Sequence, residues 1–336
     1  MHERYSRQMR VRGIGESGQR CIEAGRVGVL GLGALGSVSA NALARAGVGY
    51  LRLIDRDIVD LSNLQRQVLF NEEDAAEARP KAVAAAEHLR GVNSEIAIEA
   101  VVQELDAGSI EELIRDLDVV VDGSDNFELR YLVNDVCVKH GRPWVYGGAL
   151  GSYGMTTTII PGRTACLQCF IGPMPEPGSI ETCSTAGVLA PATGVIANTQ
   201  AAEVLKLLVG APPRESVLIF DLWSGHADVV ELHRAPDCPV CVHRRFEHLE
   251  RTEATRVRVM CGEDTVQVNP RRRAKLTLTR VAEQLAELGR VRVHDGVLRF
   301  TYEGLDVTLF SDGRALIRGA RDEAHALSLY TEYVGL

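Results

Sequence analysis

Two cysteine pairs, Cys166-Leu-Gln-Cys169 and Cys238-Pro-Val-Cys241, are the most chemically pointed residues in the chain. Two CxxC turns separated by a long helix-containing segment supply four thiolates, the donor set of a closed tetrahedral zinc site. A redox CxxC would instead open a helix in a thioredoxin-like setting, which is not seen around either pair. Cys21, Cys137 and Cys261 have no partner spacing and receive no role. A second group begins with Gly31-Leu-Gly33-Ala-Leu-Gly36, followed by Asp55 about 20 residues on, the fingerprint of a nucleotide site. Small residues let backbone amides approach a phosphate at a helix N-terminus, and the carboxylate can accept hydrogen bonds from ribose hydroxyls.

That loop alone favours NAD or FAD over ATP, so the next polar residues decide. Asp57, Asn63, Gln65, Arg66 and Gln67 lie in DRDIVDLSNLQRQ, Lys81 in ARPKA and Asp125 in DGSDN. Transfer at an α-phosphorus with loss of pyrophosphate needs positive charge spread over a triphosphate, which Arg66, Lys81 and a magnesium ion could supply. Asp125 near a strand end suits that metal. The bland alternative is a set of surface charges and a helix cap. An NAD-dependent oxidoreductase is a competing reading that rests on the glycine loop and Asp55 alone.

These residues need elements to hold them. Apolar runs predict strands over 27–30, 51–54, 96–102, 118–121, 143–147 and 154–160, and helices over 37–46, 81–90, 126–140 and 194–208. Their alternation predicts an α/β fold of Rossmann-like type, a mostly parallel sheet with helices on both faces. The charged stretch 244–255 is the expected boundary. Beyond it, short strands over 256–260, 290–294, 298–302, 306–310 and 315–317, with helices over 278–288 and 322–333, predict a small separate α+β domain. In that tail, 270–275 reads as a solvated basic loop.

Composition sets outer limits. Of 336 residues, 46% are hydrophobic and 24% charged, the ordinary mix of a globular chain that can bury a sizeable core. A net charge of −8 repels phosphate backbones and anionic lipid, so neither nucleic acid nor membrane is an expected partner. The charged start MHERYSRQMR lacks the apolar stretch of a signal peptide, and a cytoplasmic location is expected.

With GLGALG, LIDRDIVDLSNLQRQ, ARPKA and DGSDN in view, residues 1–248 resemble the MoeB/ThiF/HesA family, relatives of ubiquitin-activating E1 enzymes. The resemblance implies an adenylyltransferase that uses ATP to activate the C-terminal Gly-Gly carboxylate of a ubiquitin-like β-grasp sulfur carrier. Gly31, Gly33, Gly36 and Asp55 would hold ATP; Asn63, Arg66 and Lys81 would contact its phosphates; Asp125 would position Mg2+. An arginine matching Arg7 would reach the ATP of a second subunit, which implies a homodimer. Many relatives also carry zinc on paired cysteines matching Cys166, Cys169, Cys238 and Cys241. Cys183, in the Gly/Pro-rich PMPEPGSIETCSTAGVLAP, reads as a thiol on a mobile loop. In some relatives a cysteine there becomes covalently joined to the activated carrier, as an acyl-disulfide or as the thioester of a conjugation cascade; an unreactive packing cysteine is the alternative. No catalytic base is needed, because a C-terminal carboxylate is already ionised at pH 7. Residues 253–336 are too short for a rhodanese, so a sulfur donor, a cysteine desulfurase or a rhodanese, is expected in trans. That domain's own role is left open.

Overall fold

The computed structural model describes residues 3–175, 186–250, 256–259, 265–270, 276–302 and 304–334. Cys183, Cys261 and residues 271–275 lie outside that set. Two compact units are present, Met1–Arg251 and Thr252–Leu336. Among the described residues, no helix is long and apolar enough to cross a membrane.

The first unit is built on eight strands: β1 (Arg26–Leu30), β2 (Tyr50–Asp55), β3 (Ala97–Val102), β4 (Val119–Asp122), β5 (Trp144–Leu150), β6 (Tyr153–Ile159), β7 (Val217–Asp221) and β8 (His226–Val230). Their order is β3-β2-β1-β4-β5-β6-β7-β8. The five strands from β3 to β5 are mutually parallel, and β6, β7 and β8 join antiparallel. The period of two along each strand divides the core. Val27, Val29, Leu51, Leu53, Val119 and Val121 pack in one cluster with Leu43, Ala85 and Val204 of the helices Ala34–Ala46, Lys81–Val92 and Ala190–Val209. Leu30, Ile54, Val120 and Trp144 pack in another with Ile114 and Val136 of the helices Ile110–Ile114 and Phe127–His140. Both faces are thus covered, as near-continuous apolar strands require.

The second unit pairs β11 (Arg290–His294), β12 (Val297–Tyr302), β13 (Leu305–Phe310), β14 (Ala315–Arg318), β10 (Thr265–Asn269) and β9 (Arg256–Val259) in that order, all antiparallel. Leu298, Phe300 and Ile317 pack with Val281 and Leu329 of the helices Leu278–Leu285 and Glu323–Val334.

Several elements go beyond the sequence reading. The helix Gly15–Ala24 contains two glycines that lower its intrinsic propensity, and it is held by packing, Ile22 in the core and Gly18 against Val209. Strand β8 is exposed at every position, so it has no apolar alternation to read.

Candidate functional site

Between β1 and β4 the chain crosses in opposite directions, the switch point where open α/β sheets form a crevice at their carboxyl ends. The glycines meet there. A Cβ on Gly36 would lie 1.8 Å from the Gly31 carbonyl oxygen, and one on Gly123 would lie 2.4 Å from that same oxygen. Gly31 has φ +86°, and its Cβ would stand 2.8 Å from Gly123 O. These three are required by backbone packed on backbone, which ties the turn after β1 to the turn after β4. Gly33 differs: its nearest neighbours would be Gly123 O at 3.9 Å and Gln67 Nε2 at 4.0 Å. Among the described residues nothing demands a glycine there, so its smallness leaves room for a ligand. Gly33 precedes the helix Ala34–Ala46 without a side-chain cap, leaving first-turn amides for an anion.

Asp55, buried at the end of β2, braces this loop. Its Oδ2 accepts from Leu32 N at 2.6 Å and its Oδ1 from Asp57 N at 2.7 Å. Burial raises its pKa against the opposing pull of Lys81. Lys81 is brought there because segments 57–59 and 79–81 pair, with Lys81 N donating to Asp57 O and Val59 N to Arg79 O. The buried Lys81 Nζ stands 3.6 Å from Asp57 Oδ2. Arg56, which the sequence reading did not single out, bonds Glu104 at 2.6 Å beside Asp57. The buried Asn63 caps its own turn, its Oδ1 accepting from Asp60 N at 3.4 Å. Gln67 is buried next to Gly33, and its Oε1 has no hydrogen-bond partner among the described residues. The Arg66 guanidinium donates to Ser62 O at 3.0 Å and has no carboxylate within ion-pair distance among the described residues.

Asp125 is exposed at the rim of the same crevice, three residues beyond β4. Its loop is fixed by groups that sequence reasoning missed. Asp122 Oδ1 accepts from the Ser124 amide at 3.0 Å and hydroxyl at 2.6 Å. Asp122 Oδ2 pairs with the buried Arg130 at 3.1 Å, and Arg130 also donates to Ser124 O and Gly147 O. Gln200, from the helix Ala190–Val209, donates to Asp122 O and Val145 O. Arg130 follows the DGSDN motif closely enough to have been suspected; Gln200 carried no local signal.

Arg7 is not part of this cluster. It is exposed beside the short turn Gln8–Arg10, and its side chain has no partner among the described residues. The segment carrying it is anchored by the buried Tyr5, whose hydroxyl accepts from Asn93 Nδ2 at 2.9 Å, and by Gln8, which donates to Ala46 O at 2.8 Å.

The cysteines form a second centre. Cys166 Sγ is 3.5 Å from Cys238 Sγ, Cys169 Sγ is 3.5 Å from Cys241 Sγ, and all four sulfurs lie within 4.8 Å of one another. Four thiolates at tetrahedral Zn–S distances are about 3.8 Å apart, whereas a disulfide needs about 2.05 Å. Each pair sits in a backbone turn, with Cys169 N donating to Cys166 O and Val242 N to Cys238 O. The donor set and its spacing fit zinc.

The chain matches the ThiF family over residues 5–240. It is 41% identical over 340 residues, spanning the whole of both chains, to the sulfur carrier protein ThiS adenylyltransferase of Bacillus subtilis. The sulfur carrier protein adenylyltransferase of Thermus thermophilus is 36% identical over 246 residues, covering 71% of this chain and 90% of that one. Among solved structures, E. coli MccB with ATP superposes with a TM-score of 0.63 at 25% identity, covering 71% of this chain and 75% of that one. With the family matched across the unit that carries both centres, this chain is a member of the ThiF family.

Proposed function

We propose that the protein adenylates the C-terminal Gly-Gly carboxylate of a ubiquitin-like sulfur carrier, using ATP and releasing pyrophosphate. The observation that carries this reading is the end-to-end likeness to a ThiS adenylyltransferase. The crevice agrees with it: Gly33 is left open beside uncapped amides, Lys81 acts on the Asp55 that braces the loop, and the Arg66 guanidinium has no carboxylate partner among the described residues. The carrier carboxylate, ionised at pH 7, attacks the α-phosphorus; a C–O–P bond forms as the bond to the pyrophosphate oxygen breaks. First-turn amides after Gly33, with Asn63, Arg66 and Lys81, hold the phosphates and stabilise charge on the leaving group. Asp55 accepts from the ribose hydroxyls with the lone pairs its two amide bonds leave over. Asp125 would hold Mg2+, which supplies charge neutralisation across the phosphates. Arg7, exposed and unpartnered on an anchored segment, reaches the ATP of a second copy in a homodimer. Zinc on Cys166, Cys169, Cys238 and Cys241 is structural. Sulfur reaches the activated carrier from a donor in trans, and Cys183 is the candidate thiol for a covalent carrier intermediate.

The test is ATP–pyrophosphate exchange with candidate carriers, each with and without its last two glycines. Exchange that requires the intact tail is the expected result. No exchange with any carrier, together with nicotinamide dinucleotide binding, would replace this reading with the oxidoreductase one.

A further inference from the structure

The helix Phe127–His140 starts at Asn126, whose Oδ1 caps it by accepting from Leu129 N at 2.8 Å, and runs past the cysteine centre. Residues 131, 134 and 135 share one face of it by helical spacing. All three touch the cysteine segments. Asn134 Oδ1 accepts from Leu167 N at 2.9 Å, directly after Cys166. Tyr131 Oη donates to Gly172 O at 2.7 Å, at the end of the short helix Leu167–Ile171 that contains Cys169. Asp135 Oδ2 accepts from His248 N at 2.9 Å, beyond Cys241, and the His248 ring lies 5.2 Å from the Tyr131 ring. The first knuckle is therefore held by two of these side chains and the segment leaving the second knuckle by the third.

Asn134 is the informative residue. It is 0% exposed, and its Nδ2 has no hydrogen-bond partner among the described residues. An unpaired buried amide donor costs about 1–3 kcal/mol, which an apolar residue would avoid. Among the described residues the bond to the Leu167 amide is the one return the side chain gives, so the position is explained by what it does for the knuckle. We propose that Asn134, supported by Tyr131 and Asp135, is the positioning residue of the metal centre, holding the Cys166 turn so that the four thiolates converge before the ion arrives. The inference rests on the zinc reading of the cysteines and is independent of the adenylation reaction.

The experiment uses the full chain loaded with Zn2+ and measures release to an excess of chromophoric chelator. Outer-shell partners of metal ligands typically change metal affinity by about 10–100-fold, so Asn134→Leu should release Zn2+ at least about tenfold faster. Asn134→Asp keeps the acceptor oxygen and should release within about threefold of the native rate. If Asn134→Leu does not fold, Tyr131→Phe carries the test: it removes one hydroxyl and should accelerate release about threefold or more. Native release from Asn134→Leu, equal release from the Leu and Asp variants, or, where it is needed, native release from Tyr131→Phe overturns the proposal. A chain that binds no Zn2+ at all overturns the metal reading of the cysteines and this inference with it, an outcome distinguishable by the zinc-to-protein ratio.

Discussion

At Gly31 a side chain would need a left-handed backbone and would sit 2.8 Å from Gly123 O. Gly31→Ala should therefore lower stability by at least about 1–2 kcal/mol from the backbone alone, read as a drop in Tm. Gly33 has φ −69°, and a Cβ there would have no neighbour closer than 3.9 Å among the described residues. Gly33→Ala should lower Tm much less, yet weaken ATP binding measured by titration, because its methyl group occupies the space left for phosphate. Equal effects of the two substitutions on Tm would remove the distinction between packing glycine and ligand glycine. The motif was plain in the sequence, but this division of labour was not, since it depends on Gly123, far away along the chain. Asp125 gives the complementary case. It is exposed, with Asp122, Ser124 and Arg130 holding its loop, so Asp125→Ala should leave the melt unchanged and abolish pyrophosphate exchange. Retained exchange would contradict a role in holding Mg2+.

The helix Phe127–His140 joins the two centres and has its own pH signature. Burial pushes the Asp135 carboxyl up to about 7, assisted by the nearby Glu247 and Glu250 and opposed by the amides of His248 and Leu249. A carboxyl with a raised folded-state pKa contributes stability that is fully present below its ordinary value near 4 and is lost as pH rises through 7. Asp135→Asn keeps an acceptor for His248 N while removing the charge. It should raise Tm at pH 8 relative to the parent, by a free energy on the order of a few kcal/mol at most, and change little at pH 4. Matching Tm against pH curves for parent and variant would show that Asp135 carries no such penalty. At this scale the helix was legible in the sequence but its cargo was not. Apolar spacing located the helix within a residue, whereas Arg130, Asn134 and Asp135 are polar residues on a buried surface, where periodicity alone would place apolar ones. Their partners, at Asp122, Leu167 and His248, are set by the fold.

Across the whole molecule, legibility followed burial only in part: β10, buried at four of five positions, was not predicted, whereas β11, exposed at four of five, was. The inner parallel strands β1, β2 and β4 are largely buried and read as apolar runs, and the cysteine spacing announced a centre that the fold then assembled from turns 72 residues apart. The exposed β8 was invisible for lack of an apolar pattern, and the helix Gly15–Ala24 because its two glycines lower its propensity and packing holds it. Arg7 raises the question that a single copy leaves open. Its segment is anchored by Tyr5 against Gly47, where a Cβ would meet the ring at 2.4 Å, and by Asn93, yet its guanidinium faces outward with no partner among the described residues. If it serves the ATP of a second copy, Arg7→Ala and Asp125→Ala should each lose exchange activity when alone. Mixed as subunits, each hybrid dimer contains one site with its own Asp125 and the partner's intact Arg7, and one site lacking both. Random reassociation of equal amounts should then restore about a quarter of the sites, provided the subunits exchange, which differently tagged chains would report. Recovery after mixing requires that the two residues act on one ATP from different chains. Hybrids that form but stay inactive would mean that Arg7 acts within its own chain, and that each protomer completes its site alone.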